Sequence, residues 1–272
     1  MINQIKPHSL GVNQIGQIQV EEIHPWINRK LLFFKLWGFT PDIEKDASLK
    51  QDIENTLERM RIYAQSHTAL SVAYGIFPCQ SDGDMIKIYK TLHENCNNCS
   101  GCTLAGKQKN QIIKTLFFDR DPESKKNICD YVSSVHSNLM DFIGFQVVSA
   151  GEKAVHFANE LKASDQYQDY FYWYGYCAAL TEALAGWTHA KIRKEMGIAH
   201  SEESIKDEWV QNYRGKRYSF GYNWCRDMSE QNKVLDLIRA VDIGITMNDS
   251  DELEPEFSTC AVIIHHPEAI YW

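Results

Sequence analysis

Residues 70–89 read LSVAYGIFPCQSDGDMIKIY, and this stretch decides the fold class. Two short runs within it, 70–78 and 85–89, are rich in β-branched and aromatic residues, which is typical of strands. Three later runs have the same character: 115–118, 141–149 and 259–265. The sequence therefore predicts strands that are dispersed along most of the chain.

Helical patterns lie between and around these runs. The strongest covers about 168–196 and is closed by Gly197. Its apolar residues recur at helical spacing: Leu180, Leu184, Trp187 and Ile192. Other predicted helices cover 48–65, 126–135, 152–161 and 229–241. Strands and helices intermix without the regular alternation of a parallel α/β fold, so the sequence predicts the α+β class.

The segment before the first predicted strand has a different character. Residues 1–22 are expected to form a loose arm, and a compact apolar stretch follows at 25–39. We therefore divide the chain into an N-terminal arm with a helical segment, residues 1–69, and a second domain, residues 70–272.

Length and composition exclude several classes of function. The chain has 272 residues, of which 44% are hydrophobic and 24% charged, as in an ordinary globular protein. The net charge of −8 argues against nucleic-acid binding, because neutralising phosphates requires clustered Lys and Arg. No apolar run approaches the roughly 18 to 20 residues of a membrane helix, and the start lacks the pattern of a secretory signal. We therefore expect a cytoplasmic protein with no membrane partner.

One short loop carries residues that suit a charged ligand. Residues 213–223 read YRGKRYSFGYN. Arg217 offers a planar fork of donors for a carboxylate, and Gly221 lets the backbone approach a ligand closely. Tyr218 and Tyr222 are suited to an aromatic wall for a purine or a sulfonium cation. The same residues also fit a structural loop whose arginine pairs with an acid.

Five segments, taken in order, resemble the activation domain of cobalamin-dependent methionine synthase. They are VAYGIFPCQSDGD (72–84) with IKIY (86–89), GFQVVSAG (144–151), LTEALAGWTHAKIRKEMGI (180–198), RYSFGY (217–222) and HHPEAIYW (265–272). The resemblance covers about residues 70–272. It implies a helmet-like α+β domain with a central antiparallel sheet, flanking helices and a shallow groove for S-adenosylmethionine.

The resemblance also implies which residues contact the ligand. Arg217 would hold the methionine carboxylate. The backbone from Tyr218 to Tyr222, which includes Ser219 and Gly221, would line the adenosine and the amino-acid portion. One arginine, one acid and some aromatic surface form a set that matches a ligand with a carboxylate, an ammonium and a sulfonium.

Four further residues take their implied roles from the same resemblance, and each has a plainer alternative. Glu182 stands where the family has an acid near the cationic end of the ligand, although it also fits a helix-surface acid paired with a basic residue. Tyr271 and Trp272 would occupy the closing aromatic positions, or pack only at the chain end. His189 is either a core histidine, a catalytic base, or part of the surface that meets the cobalamin domain.

The chain departs from the family pattern in three places. No aspartate in PWINRKLLFF (25–34) can take the place of the family's Asp-Trp pair, and NWCRD (223–227) replaces a proline-rich turn.

The segment HENCNNCSGC (93–102) has no counterpart. Its Cys96, Cys99 and Cys102 have a spacing that suits zinc or an iron–sulfur cluster, but there is no second paired-cysteine motif. We therefore favour a loop without metal. The adjacent His265 and His266 are not expected to share a metal either, because neighbouring strand residues face opposite sides.

Two functions from different classes fit these residues. As an accessory module, the chain would present S-adenosylmethionine to an oxidised cobalamin protein in trans, with a flavodoxin-like protein as the electron donor. As an enzyme, it would cyclise the aminocarboxypropyl arm of S-adenosylmethionine and release methylthioadenosine, giving a cyclopropane or four-membered-ring amino acid. Arg217 would then clamp the carboxylate, and Glu182, Tyr222 or His189 would be the base.

Overall fold

The computed structural model describes residues 5–40, 46–91, 111–199, 204–210 and 212–270. Nine strands occur within these ranges: β1 (Gly11–Ile18), β2 (Leu70–Asp82), β3 (Met85–Tyr89), β4 (Ile112–Phe117), β5 (Asp141–Ser149), β6 (Lys216–Ser219), β7 (Thr246–Met247), β8 (Leu253–Glu254) and β9 (Ser258–Ile264). Six α-helices accompany them: α1 (Val20–Ile23), α2 (Ala47–His67), α3 (Glu152–Ala163), α4 (Tyr167–Glu195), α5 (Ile205–Val210) and α6 (Glu230–Leu237).

Seven of the described strands form one antiparallel sheet. Its order is β4-β3-β2-β5-β9-β6. β1 pairs with the same edge of β2 as β3 does, along the part of β2 that β3 does not reach. β2 pairs with β1 over its first half and with β3 over its last four residues, so these two strands lie end to end. The remaining two strands, β7 and β8, form a small separate ribbon. A central antiparallel sheet with flanking helices confirms the predicted α+β class.

The sheet separates two apolar cores. Helices α1 to α4 pack on one face, where Leu180, Leu184 and Ile192 of α4 are fully buried as the helical spacing predicts. α6 and the segments around residues 128–132 and 218–225 cover the other face. α2 begins after Asp46, whose carboxylate caps the amides of Ser48 and Leu49. Among the described helices, none has both the length and the apolar character of a membrane span.

The expected loose arm at 1–22 is wrong for its described part. β1 pairs with β2 from Gly11↔Ile76 to Ile18↔Leu70, although only one face of β1 is partly covered and its pattern is weak. Side chains of Ile23, Leu57 and Met60 lie in the same core as α4. The division of the chain at residue 69 stays a prediction.

Two predicted helices are shorter than expected. In the run 126–135 the structure has a 3₁₀ turn, Ile128–Tyr131, which begins with a capping box of Asn127 and Asp130 and ends because Val132 takes an extended conformation, with φ of −114° and ψ of 138°. The helix expected over 229–241 ends at Leu237, where Arg239 takes a left-handed conformation with φ of 56°. A 3₁₀ turn, Ala240–Ile243, follows it.

Candidate functional site

The loop that the sequence singled out begins as a strand, β6, at the edge of the sheet. β6 pairs with β9 through Arg217↔Ile263, Tyr218↔Val262 and Ser219↔Ala261. Ile263 belongs to the core on the α4 side, whereas Val262 belongs to the opposite core. Because side chains alternate along a strand, Arg217 and Ser219 face α4 while Tyr218 faces the other side. Four residues are too few for the sequence pattern to have predicted this strand.

Arg217 meets Glu182 across the gap between β6 and α4. The Arg217 Nη2 donates to the Glu182 Oε2 at 2.9 Å. The Arg217 side chain is 18% exposed and that of Glu182 is 50% exposed, so the pair lies at the surface rather than in the core. Glu182 follows Thr181, whose hydroxyl donates to the Cys177 and Phe257 carbonyls and fixes this turn of α4 next to the start of β9. The structure therefore brings two of the predicted ligand residues together.

The chain after β6 closes into a tight turn. The Gly221 amide donates to the Cys225 carbonyl at 2.8 Å, and the Cys225 amide donates to the Tyr222 carbonyl at 3.0 Å. Gly221 has a φ of 84°, in the region that favours glycine. Tyr222 projects from this turn and is 73% exposed. Its ring is thus available to a ligand at the surface.

Tyr218 has a different environment from Tyr222. Its side chain is buried, its hydroxyl donates to the Ile270 carbonyl at 2.7 Å, and its ring stacks on Trp224. The ring therefore cannot form an exposed aromatic wall, because strand alternation turns it away from Arg217 into the opposite core. The prediction that the Tyr218 backbone lines the ligand is not affected.

His189 lies in the interior of the protein. Its side chain is fully buried on α4 and meets the Tyr213 ring edge to face, with 5.3 Å between ring centroids. Arg193, one turn further along the helix, stacks on the same Tyr213 ring at 3.8 Å. This burial does not favour either functional role considered for His189, a base or part of a partner surface, because each requires an accessible imidazole; both roles stay predictions. The core alternative fits.

Several predicted residues lie outside the described part of the chain. These are Tyr271 and Trp272, and the cysteines of the 93–102 segment: Cys96, Cys99 and Cys102. Within the described ranges, no group of three or more His, Cys, Asp or Glu side chains could hold a metal ion. His265 and His266 have separate environments: His265 is buried against Asp141, and the ring of His266 lies 5.5 Å from that of Tyr131.

A groove of about 880 Å³ adjoins the loop, and most of the residues that line it were not singled out in the sequence. It opens beyond the end of β6, along the start of β9, where the Phe220 and Met228 side chains border it. α3 forms one wall, and the β7–β8 ribbon with the following residues forms the other. Four glutamates line it: Glu152, Glu252, Glu254 and Glu256. Because these elements are far apart in the chain, only the fold brings them together.

Comparisons with known proteins agree on one family. Residues 19–272 match the model of the vitamin B12 dependent methionine synthase activation domain. A methionine synthase of Mycobacterium tuberculosis (strain ATCC 25618 / H37Rv) is 29% identical over 283 aligned residues, and one of Mycobacterium leprae (strain TN) is 27% identical over 282. Each alignment covers 98% of this chain but 23% of the relative, so the chain spans about a quarter of their length.

A solved structure has the same fold. It is described as the MetH reactivation domain bound to AdoHcy, and it superposes with a TM-score of 0.83 at 21% identity. The match covers 99% of this chain and 82% of that one.

Proposed function

This chain belongs to the activation domain family of vitamin B12-dependent methionine synthase, and from that premise we propose that it binds S-adenosylmethionine beside β6. One observation chiefly supports this ligand: the surface pair of Arg217 and Glu182.

The pair has the charges that the amino-acid end of the ligand requires. S-adenosylmethionine carries a carboxylate, an ammonium and a sulfonium within a few bonds of one another. The Arg217 fork is suited to the carboxylate, and the Glu182 carboxylate is suited to the two cations. The two side chains already contact each other at 2.9 Å, so a zwitterionic ligand would exchange one ion pair for two without leaving either charge unpaired.

The turn after β6 would hold the rest of the ligand. Ser219 shares the face of Arg217, Gly221 leaves its backbone open, and the Tyr222 ring is exposed beside them. We propose that these residues line the adenosine, and that Tyr271 and Trp272 close over it. The similar solved domain holds AdoHcy, the demethylated form of the same ligand, which supports this choice of chemistry.

We further propose that the bound ligand serves a cobalamin protein. The matched relatives are methionine synthases several times longer than this chain, and a cobalamin held by such a partner would accept the methyl group. A flavodoxin-like protein would supply the electron. In this reaction the chain would hold the carboxylate and the ammonium of the ligand, so that the methyl group on the sulfonium faces the partner.

Titration calorimetry tests the binding directly. We expect S-adenosylmethionine and S-adenosylhomocysteine each to bind one site, and methionine or adenosine alone to bind much more weakly, since each lacks half of the contacts. If neither S-adenosylmethionine nor S-adenosylhomocysteine gives a measurable heat of binding, the proposal is wrong. Analysis of the same mixture for methylthioadenosine distinguishes binding from cyclisation: a binding module returns its ligand intact.

Methyl transfer tests the role in trans. An oxidised cobalamin protein, a reductant and S-adenosylmethionine labelled in its methyl group are mixed with and without this chain. We expect label on the cobalamin protein only when the chain is present. Equal labelling in both mixtures would contradict the role in trans and leave the ligand binding intact.

A further inference from the structure

The groove beyond the end of β6 is acidic on both walls. Glu152 of α3 lies on one wall, and the other wall carries three more glutamates: Glu252, Glu254 and Glu256. All four groove glutamates are exposed, and no Lys or Arg is among the described residues that line the groove. Its one described histidine, His156, lies 3.3 Å from Glu152. The groove therefore attracts positive charge.

The groove glutamates also differ from other surface acids in their partners. Elsewhere on the surface an acid pairs with a base, as Asp82 does with Lys87 at 2.6 Å. Glu256 instead accepts from the Tyr174 hydroxyl, and Glu254 has no hydrogen bond or ion pair with a described residue. These carboxylates are therefore open to a cationic group from outside the chain.

One side of the groove is an open edge of the sheet. β6 pairs only with residues 261–264 of β9, and the Phe220 amide then donates to the Cys260 carbonyl at 3.4 Å. Residues 258–260 line the groove and pair with β5 on one side, but no described strand pairs with them on the other. An unpaired strand edge offers backbone donors and acceptors to an extended peptide.

Exposed aromatic rings continue the acidic surface along α4. The ring of Tyr174, which contacts Glu256, lies 6.0 Å from the ring of Tyr170. Phe171 is exposed on the same turn of the helix. Such rings attract ammonium and guanidinium groups, and the Lys162 Nζ already lies 5.8 Å from the centre of the Tyr170 ring. Acids and rings side by side favour a partner that carries arginine or lysine.

We propose that the groove is a docking site for an extended segment of another protein that carries arginine or lysine and pairs with the open edge of β9. Successive side chains of an extended segment point to opposite sides, so alternate residues would reach the groove glutamates. Neither Arg217 nor Glu182 lines the groove. The proposal therefore holds whether or not the chain binds S-adenosylmethionine.

Fluorescence anisotropy of a labelled peptide measures the docking. The probe alternates arginine with threonine, and the ligand-free protein is titrated into it at increasing salt. We expect binding that weakens as salt is added, and no binding of the same peptide with glutamate in place of arginine. If the arginine peptide does not bind, or if both peptides bind equally, the proposal is overturned.

Substitutions of acids separate the groove from the net charge of the protein. Glu152→Gln with Glu254→Gln removes one charge from each wall, and we expect the peptide to bind about five- to twentyfold more weakly. The control is Glu22→Gln with Asp52→Asn. It changes the net charge equally at two exposed positions that do not line the groove, and it should cost less than about twofold. Equal losses in the two variants would overturn the proposal.

Methylation of the peptide backbone tests the pairing with β9. One version of the peptide is methylated at its arginine amides and a second at its threonine amides, so that each keeps every charge. Because alternate amides of a strand face opposite neighbours, one version loses the donors that face β9. We expect that version to bind about three- to tenfold more weakly than the other. Equal affinities of both versions and the unmethylated peptide would show that the segment does not pair with β9.

Discussion

Two pairs of an acidic and a basic side chain, one at an edge of the sheet and one in its interior, differ in their surroundings. Arg217 of β6 contacts Glu182 at 2.9 Å with side chains 18% and 50% exposed. His265, just after β9, contacts Asp141 of β5 at 2.5 Å with side chains 2% and 4% exposed. The first pair lies on an edge strand beside a groove, and the second lies in the interior between two central strands.

The neighbours of each acid explain what each pair does. Asp141 also accepts from the amides of Ser133 and Phe142, so its carboxylate is fully committed to the fold. Glu182 has one described hydrogen bond, to Arg217, and half of its side chain faces solvent. A buried pair costs a great deal to break, whereas a surface pair contributes little to stability and can be exchanged for a ligand.

The largest effect is expected from Asp141→Ala. The substitution removes the partner of a buried histidine and the acceptor of two amides, so we expect the free energy of unfolding to fall by about 3 to 5 kcal/mol. Urea denaturation measures it. Asp169→Ala is the matched control, because Asp169 pairs with Arg59 at 2.8 Å on the surface, and it should cost about 1 kcal/mol or less. Equal losses in the two variants would contradict the division between buried and surface pairs.

The pH dependence of unfolding sharpens the same prediction. Burial alone would raise the pKa of Asp141, but the hydrogen bond and charge of His265, together with the Ser133 and Phe142 amides, lower that pKa below its usual range. A carboxyl with a lowered folded pKa adds stability above its unfolded pKa of about 3.9 and loses it as the pH falls through the folded value. The gap in stability between the wild type and Asp141→Ala should therefore narrow below about pH 4. A gap that is constant with pH would contradict this account.

The next effect is on ligand affinity. Arg217→Ala removes the fork proposed for the ligand carboxylate, so we expect S-adenosylmethionine to bind about 30- to 150-fold more weakly. Stability should change far less than in Asp141→Ala. Arg59→Ala removes an arginine from another surface pair and should leave affinity unchanged. Calorimetry that finds equal affinity in the wild type and Arg217→Ala would show that Arg217 does not hold the ligand.

The same contrast explains what the sequence could predict. Elements with a clear apolar pattern were predicted accurately from the sequence. β3 and β5 match their predicted bounds, and α4 differs from its predicted bounds by one residue at each end. Such patterns arise from burial, which a sequence displays directly. β1 and β6 were missed because they lie at sheet edges, where few positions are buried and the alternation is weak.

For the candidate site, the sequence pointed to two residues that the fold places in contact, Arg217 and Glu182. Their role in ligand binding stays a prediction. Neither the buried orientation of Tyr218 nor the burial of His189 could be read from the resemblance, because each depends on which face of a strand or helix the residue takes. The four glutamates that line the groove were not identified, since the walls of the groove come from α3 and from the β7–β8 ribbon, more than eighty residues apart.

The smallest effect concerns Glu182, the acid of the surface pair. Glu182→Gln keeps the size of the side chain and removes the charge that we place at the cationic end of the ligand. We expect S-adenosylmethionine to bind about 5- to 30-fold more weakly, and S-adenosylhomocysteine, which lacks the sulfonium, to lose less. Asp169→Asn is the control, because it makes the same change of charge on the same helix away from the loop. Were Glu182 instead a general base, the variant would lower methylthioadenosine release more than affinity. If Glu182→Gln changes neither affinity nor product release, Glu182 serves only as the surface partner of Arg217, and the cationic end of the ligand lies elsewhere.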